Sequence, residues 1–255
     1  MADASVLRTE WLTPHMIRVV TDVTGFVPNE FTDAYVKLLF PVPGVVYPEP
    51  FDLQRIRAEL PREEWPRMRT YTVRAYDAGE LTIDFVYHGD EGLAGPWARN
   101  AREGDVLRLA GPGGAYAPGD EADWHLLAGD ESALPAIGAA LEAMPAGVPV
   151  HVVVEIDGPA EEQALSTKAD ATITWLHRSA GADLVTAVRE LTVPAGVGQA
   201  FVHGEAGFVK QLRRHLLDER GLRKDLLSIS GYWRKGKDED GWQAEKAATR
   251  AAEQQ

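Results

Sequence analysis

Proline is spread so unevenly along this chain that it divides the fold in two. Eleven of the 16 prolines precede residue 120, and none follows Pro194. Proline is confined to turns, edges and strand ends. The first half is therefore expected to be strand and loop, and the second half is free to carry regular helices. Val6–Trp11, Met16–Thr24, Ala34–Val42, Arg69–Asp77, Glu80–His88 and Asp105–Ala110 read as strands rich in Val, Leu, Thr and Tyr. Ala78-Gly79 is the hairpin turn between two of them. Six such strands predict a small closed antiparallel β-barrel. A long connection, Pro43–Met68, interrupts it, with a helix over Phe51–Leu60 that Pro61 ends.

The rhythm then changes. Strands are expected at Trp124–Ala128, Val150–Ile156, Thr172–Leu176, Gln199–His203 and Leu226–Trp233. Helices are expected at Ser132–Met144, Glu161–Ser166, Asp183–Leu191 and Gly207–Arg220. Strands alternating with helices predict βαβ units and a five-stranded parallel sheet covered on both faces, with ligands at the C-terminal strand ends. The expected division is a barrel domain at 1–120, an α/β domain at 121–233 and a tail helix at 234–255. In the tail, Asp240 and Gln243 resemble a capping box, and Ala244, Ala247, Ala248 and Ala251 form a small-residue stripe. That helix reads as a surface element or as a lid near a site.

Acidic residues exceed basic ones by 39 to 26, a net charge of −13. That balance argues against general nucleic-acid binding. No apolar run approaches the ~18 residues of a membrane span, and Met1–Leu7 lacks a signal-peptide pattern. Cysteine is absent, which excludes disulfides, thiol catalysis, Fe–S clusters and Cys-type zinc sites. No His pair has metal-site spacing, and no Gly-x-Ser-x-Gly elbow occurs. The expectation is a cytoplasmic monomer with no membrane insertion and no protein metal site.

The residues with chemical content lie in six segments. In Arg69-Thr70-Tyr71-Thr72-Val73-Arg74, alternation puts Arg69, Tyr71 and Val73 on one strand face. Arg69 offers a cationic fork for a pyrophosphate, Tyr71 an aromatic plane, and Thr72 a hydrogen bond. His88-Gly89-Asp90-Glu91-Gly92 leads to Gly95-Pro96-Trp97-Ala98, where Pro96 suits the first helical position and leaves the N–H groups of Trp97 and Ala98 for an anion. Gly111-Pro112-Gly113-Gly114-Ala115-Tyr116 reads as a linker or as a close approach to a ligand. Gly129-Asp130-Glu131-Ser132-Ala133-Leu134-Pro135 follows the first α/β strand but is not a Gly-x-Gly-x-x-Gly fingerprint. Asp130 and Glu131 repel phosphate, so binding there falls to backbone N–H groups and the Ser132 hydroxyl, unless Asp130 merely caps the helix. His203-Gly204-Glu205-Ala206 repeats the strand-to-helix pattern, and Gly231-Tyr232-Trp233-Arg234-Lys235-Gly236 follows the last strand.

Together these six segments, in this order, resemble the siderophore-interacting protein family, a branch of the ferredoxin-reductase-like flavoproteins. The resemblance runs from Arg69 to Gly236, and the strand order before it fits the same fold. It implies that FAD is held by Arg69, Tyr71, Thr72, Val73, His88, Asp90, Gly95, Pro96, Trp97 and Ala98. It implies that a nicotinamide dinucleotide, NADH or NADPH, lies against Asp130, Glu131, Ser132, Ala133, Gly204 and Glu205. Trp233 or Tyr232, after the last strand, is expected to close one side of the flavin or the nicotinamide pocket, unless both belong to the interdomain core. Family members commonly carry Gly-Pro-Ala before the Trp-Ala pair, whereas this chain has Gly92-Leu93-Ala94-Gly95-Pro96.

The activity implied is FAD-dependent reduction of ferric siderophores, with electrons from NAD(P)H or a ferredoxin and no catalytic acid or base. A reductase with another acceptor and a non-catalytic siderophore carrier are the alternatives. Ferric siderophores are often anionic, so a local basic patch is expected within the acidic surface. Lys37, Arg234 and Lys235 are the substrate candidates, with Arg74 and Lys237 beside them; the last group also reads as a counterweight to Asp238–Asp240. Arg178 suits a 2′-phosphate, while Glu155 and Asp157 oppose one.

Overall fold

The structure is a computed structural model that describes residues 1–237 and 241–242. Alternating apolar residues build seven antiparallel strands in the first half. They are β1 (Ala2–Thr13), β2 (Met16–Asp22), β3 (Tyr35–Phe40), β4 (Arg67–Thr72), β5 (Ala75–Asp77), β6 (Glu80–Val86) and β7 (Val106–Gly113). Their order in the sheet is β4-β3-β7-β1-β2-β6-β5. The expectation of six strands is corrected because Arg69–Asp77 is not one strand. The chain bends at Val73-Arg74: Val73 N–H donates to Ala34 O at 2.7 Å and Arg74 N–H to Thr82 O at 2.9 Å. One continuous segment thus pairs with β3 through β4 and with β6 through β5. Val6, Val36, Leu38, Leu81, Phe85 and Leu109 fill the core beneath it.

Two helices decorate this half. Asp52 caps α1 (Leu53–Glu59), accepting from the N–H groups of Gln54 and Arg55. The second, α2 (Ala94–Asn100), begins two residues before the position expected from Pro96, which becomes its third residue.

In the second half, β8 (Trp124–Asp130), β9 (Pro149–Ile156), β10 (Asp170–His177), β11 (Gly198–Glu205) and β12 (Leu227–Trp233) form the expected parallel sheet, in the order β10-β9-β8-β11-β12. Helix α3 (Leu134–Ala143) packs on one face through Leu134, Ile137 and Leu141. Helices α4 (Leu184–Glu190) and α5 (Ala206–Arg214) pack on the other through Leu184, Val188 and Leu212. Coverage of both faces explains why β8 and β11 are buried almost throughout, His125, Gln199 and His203 included. Two helix expectations are corrected. Glu161–Ser166 forms only a short turn, Pro159–Glu161, which ends where the backbone becomes extended at Glu162. The helix expected over Gly207–Arg220 widens into a π turn at His215–Glu219, where His215 Nδ1 lies 2.7 Å from Glu219 Oε2. The tail-helix expectation, with Asp240, Gln243 and the alanine stripe, lies outside the described residues.

Polar contacts join the halves. Glu161, 5 % exposed, accepts from the Thr13 hydroxyl at 2.6 Å, and its other oxygen meets His15 Nδ1 at 2.7 Å. Arg74 grips Glu142 of α3 with two bonds of 3.0 and 2.5 Å. Asp33 Oδ1 accepts from the N–H groups of Ala115 and Tyr116, both at 2.8 Å. Gly111–Tyr116 is therefore a strapped crossing between the halves. A Cβ on Gly114 would stand 2.7 Å from Phe31, so glycine lets the crossing lie against that ring.

Replacing Glu161 with Ala strands the Thr13 hydroxyl in a buried joint. Because a bond to a charged group contributes about 1.5–3 kcal/mol, Glu161→Ala should lower the unfolding free energy by about 2–3 kcal/mol in urea titrations. Unchanged stability would show that this joint carries no weight.

Candidate functional site

The first-half site grows from β4. Arg69 and Tyr71 are half-buried, while Thr72 and Val73, at the end of β4 and the bend, are both buried. Thr72, opposite Tyr35 in the β3 pairing, is 8 % exposed. The Tyr71 ring lies 4.4 Å from Phe85, and Phe85 lies 5.7 Å from Trp97. This aromatic row fixes the start of α2 relative to Arg69 and Tyr71. Trp97 is thus a packing residue, and its N–H is spent on Leu93 O at 3.1 Å, which corrects its expected role as an anion donor. Ala98 is buried within the helix. The backbone donors preceding the first helical bond belong instead to Ala94 and Gly95. No side chain caps α2, and no acidic residue sits in its first turn. His88 is exposed. Asp90 is engaged by Arg99 at 2.7 Å and by the Tyr87 hydroxyl at 3.0 Å; those two bonds hold its carboxyl below the usual range.

A guanidinium, an aromatic face and an uncapped helix start are the donor set that a pyrophosphate and a flat ring system need. The residues present fit FAD.

The second-half site gathers at the C-terminal strand ends around Asp130, the last residue of β8. It is 2 % exposed. Oδ1 accepts from Ser132 N–H at 2.9 Å and the Ser132 hydroxyl at 2.5 Å. Oδ2 accepts from Trp233 Nε1–H and from Glu205 N–H, both at 2.8 Å. Gly204 is obligatory here: its φ is +135°, and a Cβ would stand 2.6 Å from Oδ2. Burial pushes the Asp130 carboxyl up to about 6, with Glu131 adding to the rise and the bonds from Ser132, Trp233 and Glu205 opposing it. Since the ordinary value is about 3.9, this carboxyl makes folding less favourable as pH climbs from about 4 to about 6.

The turn after β8 differs from expectation. Ser132 gives both donors to Asp130, Ala133 N–H donates to Asp130 O at 3.0 Å, and Leu134 N–H to Glu131 O at 3.4 Å. The groups expected to receive a phosphate are already engaged. Nor does Asp130 cap α3, whose first flanking residue is Ala133. Glu131 is paired with Arg178, which also lies 3.6 Å from Glu155. Glu205 caps α5 through Gly207 and Phe208 N–H.

Tyr232 is packed 4.8 Å from His203, and burial with the charges of Asp33 and Asp130 raises its hydroxyl well above the tyrosine range. Its neighbours come from both halves, so it belongs to their junction. Trp233 is 43 % exposed. Lys37, Arg234 and Lys235 are exposed, with the Arg234 guanidinium 5.7 Å from the Trp242 ring. Arg74 is bound to Glu142, which removes it from the basic candidates. Among the described residues, no group of His, Asp and Glu could hold a metal ion.

Residues 5–116 match the siderophore-interacting FAD-binding domain family, and residues 122–236 match the siderophore-interacting protein family. The chain belongs to the siderophore-interacting protein family. It is 35 % identical to the ferric vibriobactin reductase ViuB of Vibrio cholerae, over 94 % of this chain and 92 % of that protein. It is 32 % identical to the NADPH-dependent ferric-chelate reductase of Escherichia coli, over 91 % and 92 %. The crystal structure of a siderophore utilization protein from T. fusca superposes with a TM-score of 0.79 at 37 % identity, covering 92 % of this chain and 93 % of that one. A FAD-binding domain is thus part of this family member, in a ferredoxin-reductase-like fold.

Carbon-13 titration of the Asp130 carboxyl should give a midpoint of about 6. Trp233→Phe removes a bond that favours the charged form, so the midpoint should move upward in that variant. An Asp130 midpoint near 4, the ordinary range, would contradict the burial argument.

Proposed function

We propose that this protein is an FAD-dependent ferric-siderophore reductase whose electrons come from NADH or NADPH. The observation that carries the reading is the uncapped start of α2, locked by the Trp97–Phe85–Tyr71 row to the strand that bears Arg69. Its relatives named as ferric vibriobactin and ferric-chelate reductases support the same activity. Bound FAD supplies two-electron uptake from a nicotinamide and one-electron delivery to ferric iron.

The chain's own residues bind and orient. Arg69 and the N–H groups of Ala94 and Gly95 hold the pyrophosphate, and Tyr71 lies along the ring system. Val73 and Thr72 keep that strand closed on β3, and we take the first sheet to be rolled into a barrel because β4 and β5 are one segment pairing at both of its ends. Gly204, Glu205 and Trp233 border the dinucleotide site at the strand ends, with Glu131 and Ala133 in the turn beside them. No protein acid or base is required at the iron. Reduction loosens the chelate, because iron(II) binds hard oxygen ligands more weakly than iron(III). The FAD half runs to about residue 120 and the dinucleotide half to Trp233. No described helix is long and apolar enough to cross a membrane; a cytoplasmic, monomeric enzyme, with ferredoxin as the other conceivable donor, fits this reading.

The purified protein should be yellow and release FAD on denaturation. Arg69→Ala removes a charge-assisted contact of roughly 1.5–3 kcal/mol, so FAD affinity should fall about ten- to a hundredfold in flavin titrations. A folded protein that takes up no FAD would overturn the reading.

Lys37, Arg234 and Lys235 form the basic mouth for an anionic chelate on an otherwise acidic surface. Neutralising all three should slow reduction of anionic ferric siderophores and leave a neutral chelate unaffected. The difference should shrink with added salt, since exposed charges are screened over about 8–10 Å near physiological ionic strength. Equal rates for both chelates in wild type and triple variant would remove these residues from the substrate site.

A further inference from the structure

Four hydrogen-bond donors converge on one buried carboxylate at the strand ends, and only one of them belongs to an exposed side chain. Ser132 N–H and Oγ–H come from the turn after β8, and Glu205 N–H from the end of β11. The fourth is the indole N–H of Trp233, the last residue of β12, 43 % exposed. Among the described residues, Trp233 has no ring-stacking partner. Its bond to Asp130 Oδ2, at 2.8 Å, holds the polar edge of the ring.

We propose that Asp130 is a positioning residue: its carboxylate pins Trp233 by the indole N–H, so that the open face of the ring is a preset platform for the electron-donating dinucleotide. The inference rests on the dinucleotide site proposed above and deepens it. A planar ring with its polar edge anchored and its face open suits stacking by a flat heteroaromatic group. Anchoring matters because ordering a free side chain at binding costs affinity.

The carboxylate form is needed for a geometric reason. Two ionised oxygens offer about four lone-pair sites, matching the four donors, whereas a protonated acid turns one oxygen into a donor. Gly204 keeps the space beside Oδ2 clear for both the Glu205 and the Trp233 bonds. The surrounding charged and titratable groups are committed to other contacts. Glu131 pairs with Arg178, and the Glu205 carboxylate caps α5 while accepting Lys235 N–H. His203 faces Tyr232 and the Ser228 hydroxyl. Asp130 is thus the group whose charge Trp233 senses, and with its carboxyl pushed up to about 6, mild acid neutralises it. Below that pH the pin becomes a neutral, weaker bond, and the platform loosens.

The test has two arms. In the FAD-loaded enzyme, stopped-flow reduction of the flavin by NADH and by NADPH is followed from about pH 7.5 to about pH 5. The KM for the dinucleotide should rise about fivefold as pH falls through about 6, the factor expected when a charge-assisted bond becomes a neutral one, while kcat changes little. Trp233→Phe keeps a ring but lacks the N–H, so its KM should be raised at every pH with no inflection near 6. In the second arm, the Trp233 indole N–H resonance, assigned by its loss in Trp233→Phe, should shift with a midpoint of about 6 in the wild type. It should stay fixed in Asp130→Asn. A resonance that does not titrate, or a Trp233→Phe enzyme with wild-type KM, overturns the proposal. If neither dinucleotide reduces the flavin, the dinucleotide site and the platform fall together, and the resonance arm still decides the pin.

Discussion

The segment Arg67–Asp77 has to serve as two strands at once. Its first part hydrogen-bonds to β3 and its second to β6, so the chain turns at Val73-Arg74. Everything at the first site follows from that bend. It holds Arg69 and Tyr71 against the face where Phe85 and Trp97 pack. It also throws Arg74 outward to α3, where the guanidinium meets Glu142 and lies over Gly138, whose missing side chain leaves it room. The strand that carries the candidate flavin contacts is thus tied, one residue past them, to the other half of the molecule.

Much of this architecture was legible in the sequence, because most of it is local. Alternation marked the strands, and Ala78-Gly79, both at positive φ, marked a tight hairpin. Asp183, expected to open a helix, does cap α4 through Thr186 N–H. The split at Val73-Arg74 was not legible, since both parts have the same β-forming composition and the bend comes from partners in β3 and β6. Pro96 misled for a related reason. Proline tolerates any position in a helix's first turn, so it bounded the start of α2 without fixing it.

The sites divide along the same line. Arg69, Tyr71 and the turn before Trp97 could be singled out as candidate cofactor contacts because each is a short motif. The commitment of Trp233 could not, because it depends on a carboxylate 103 residues away. Glu161 is an extreme case: its role is set by Thr13 and His15, 148 and 146 residues distant. In sequence it looks like any surface glutamate at a helix start. The Asp130-x-Ser132 spacing was the one local signal available, since an Asp side chain commonly accepts from the residue two positions on.

Tyr232 sits where the two halves meet, beside Asp33 and Asp130, and Tyr116 is buried a short way along the crossing. Burial and nearby carboxylates keep both phenols protonated far into alkali. Raising the pH therefore cannot introduce new negative charge into the seam from these rings. Asp130 lies beside the same seam, and burial pushes its carboxyl up to about 6, so lowering the pH into that range removes charge there. At Tyr116, Tyr232 and Asp130 the charge of the seam thus answers to acid and not to base.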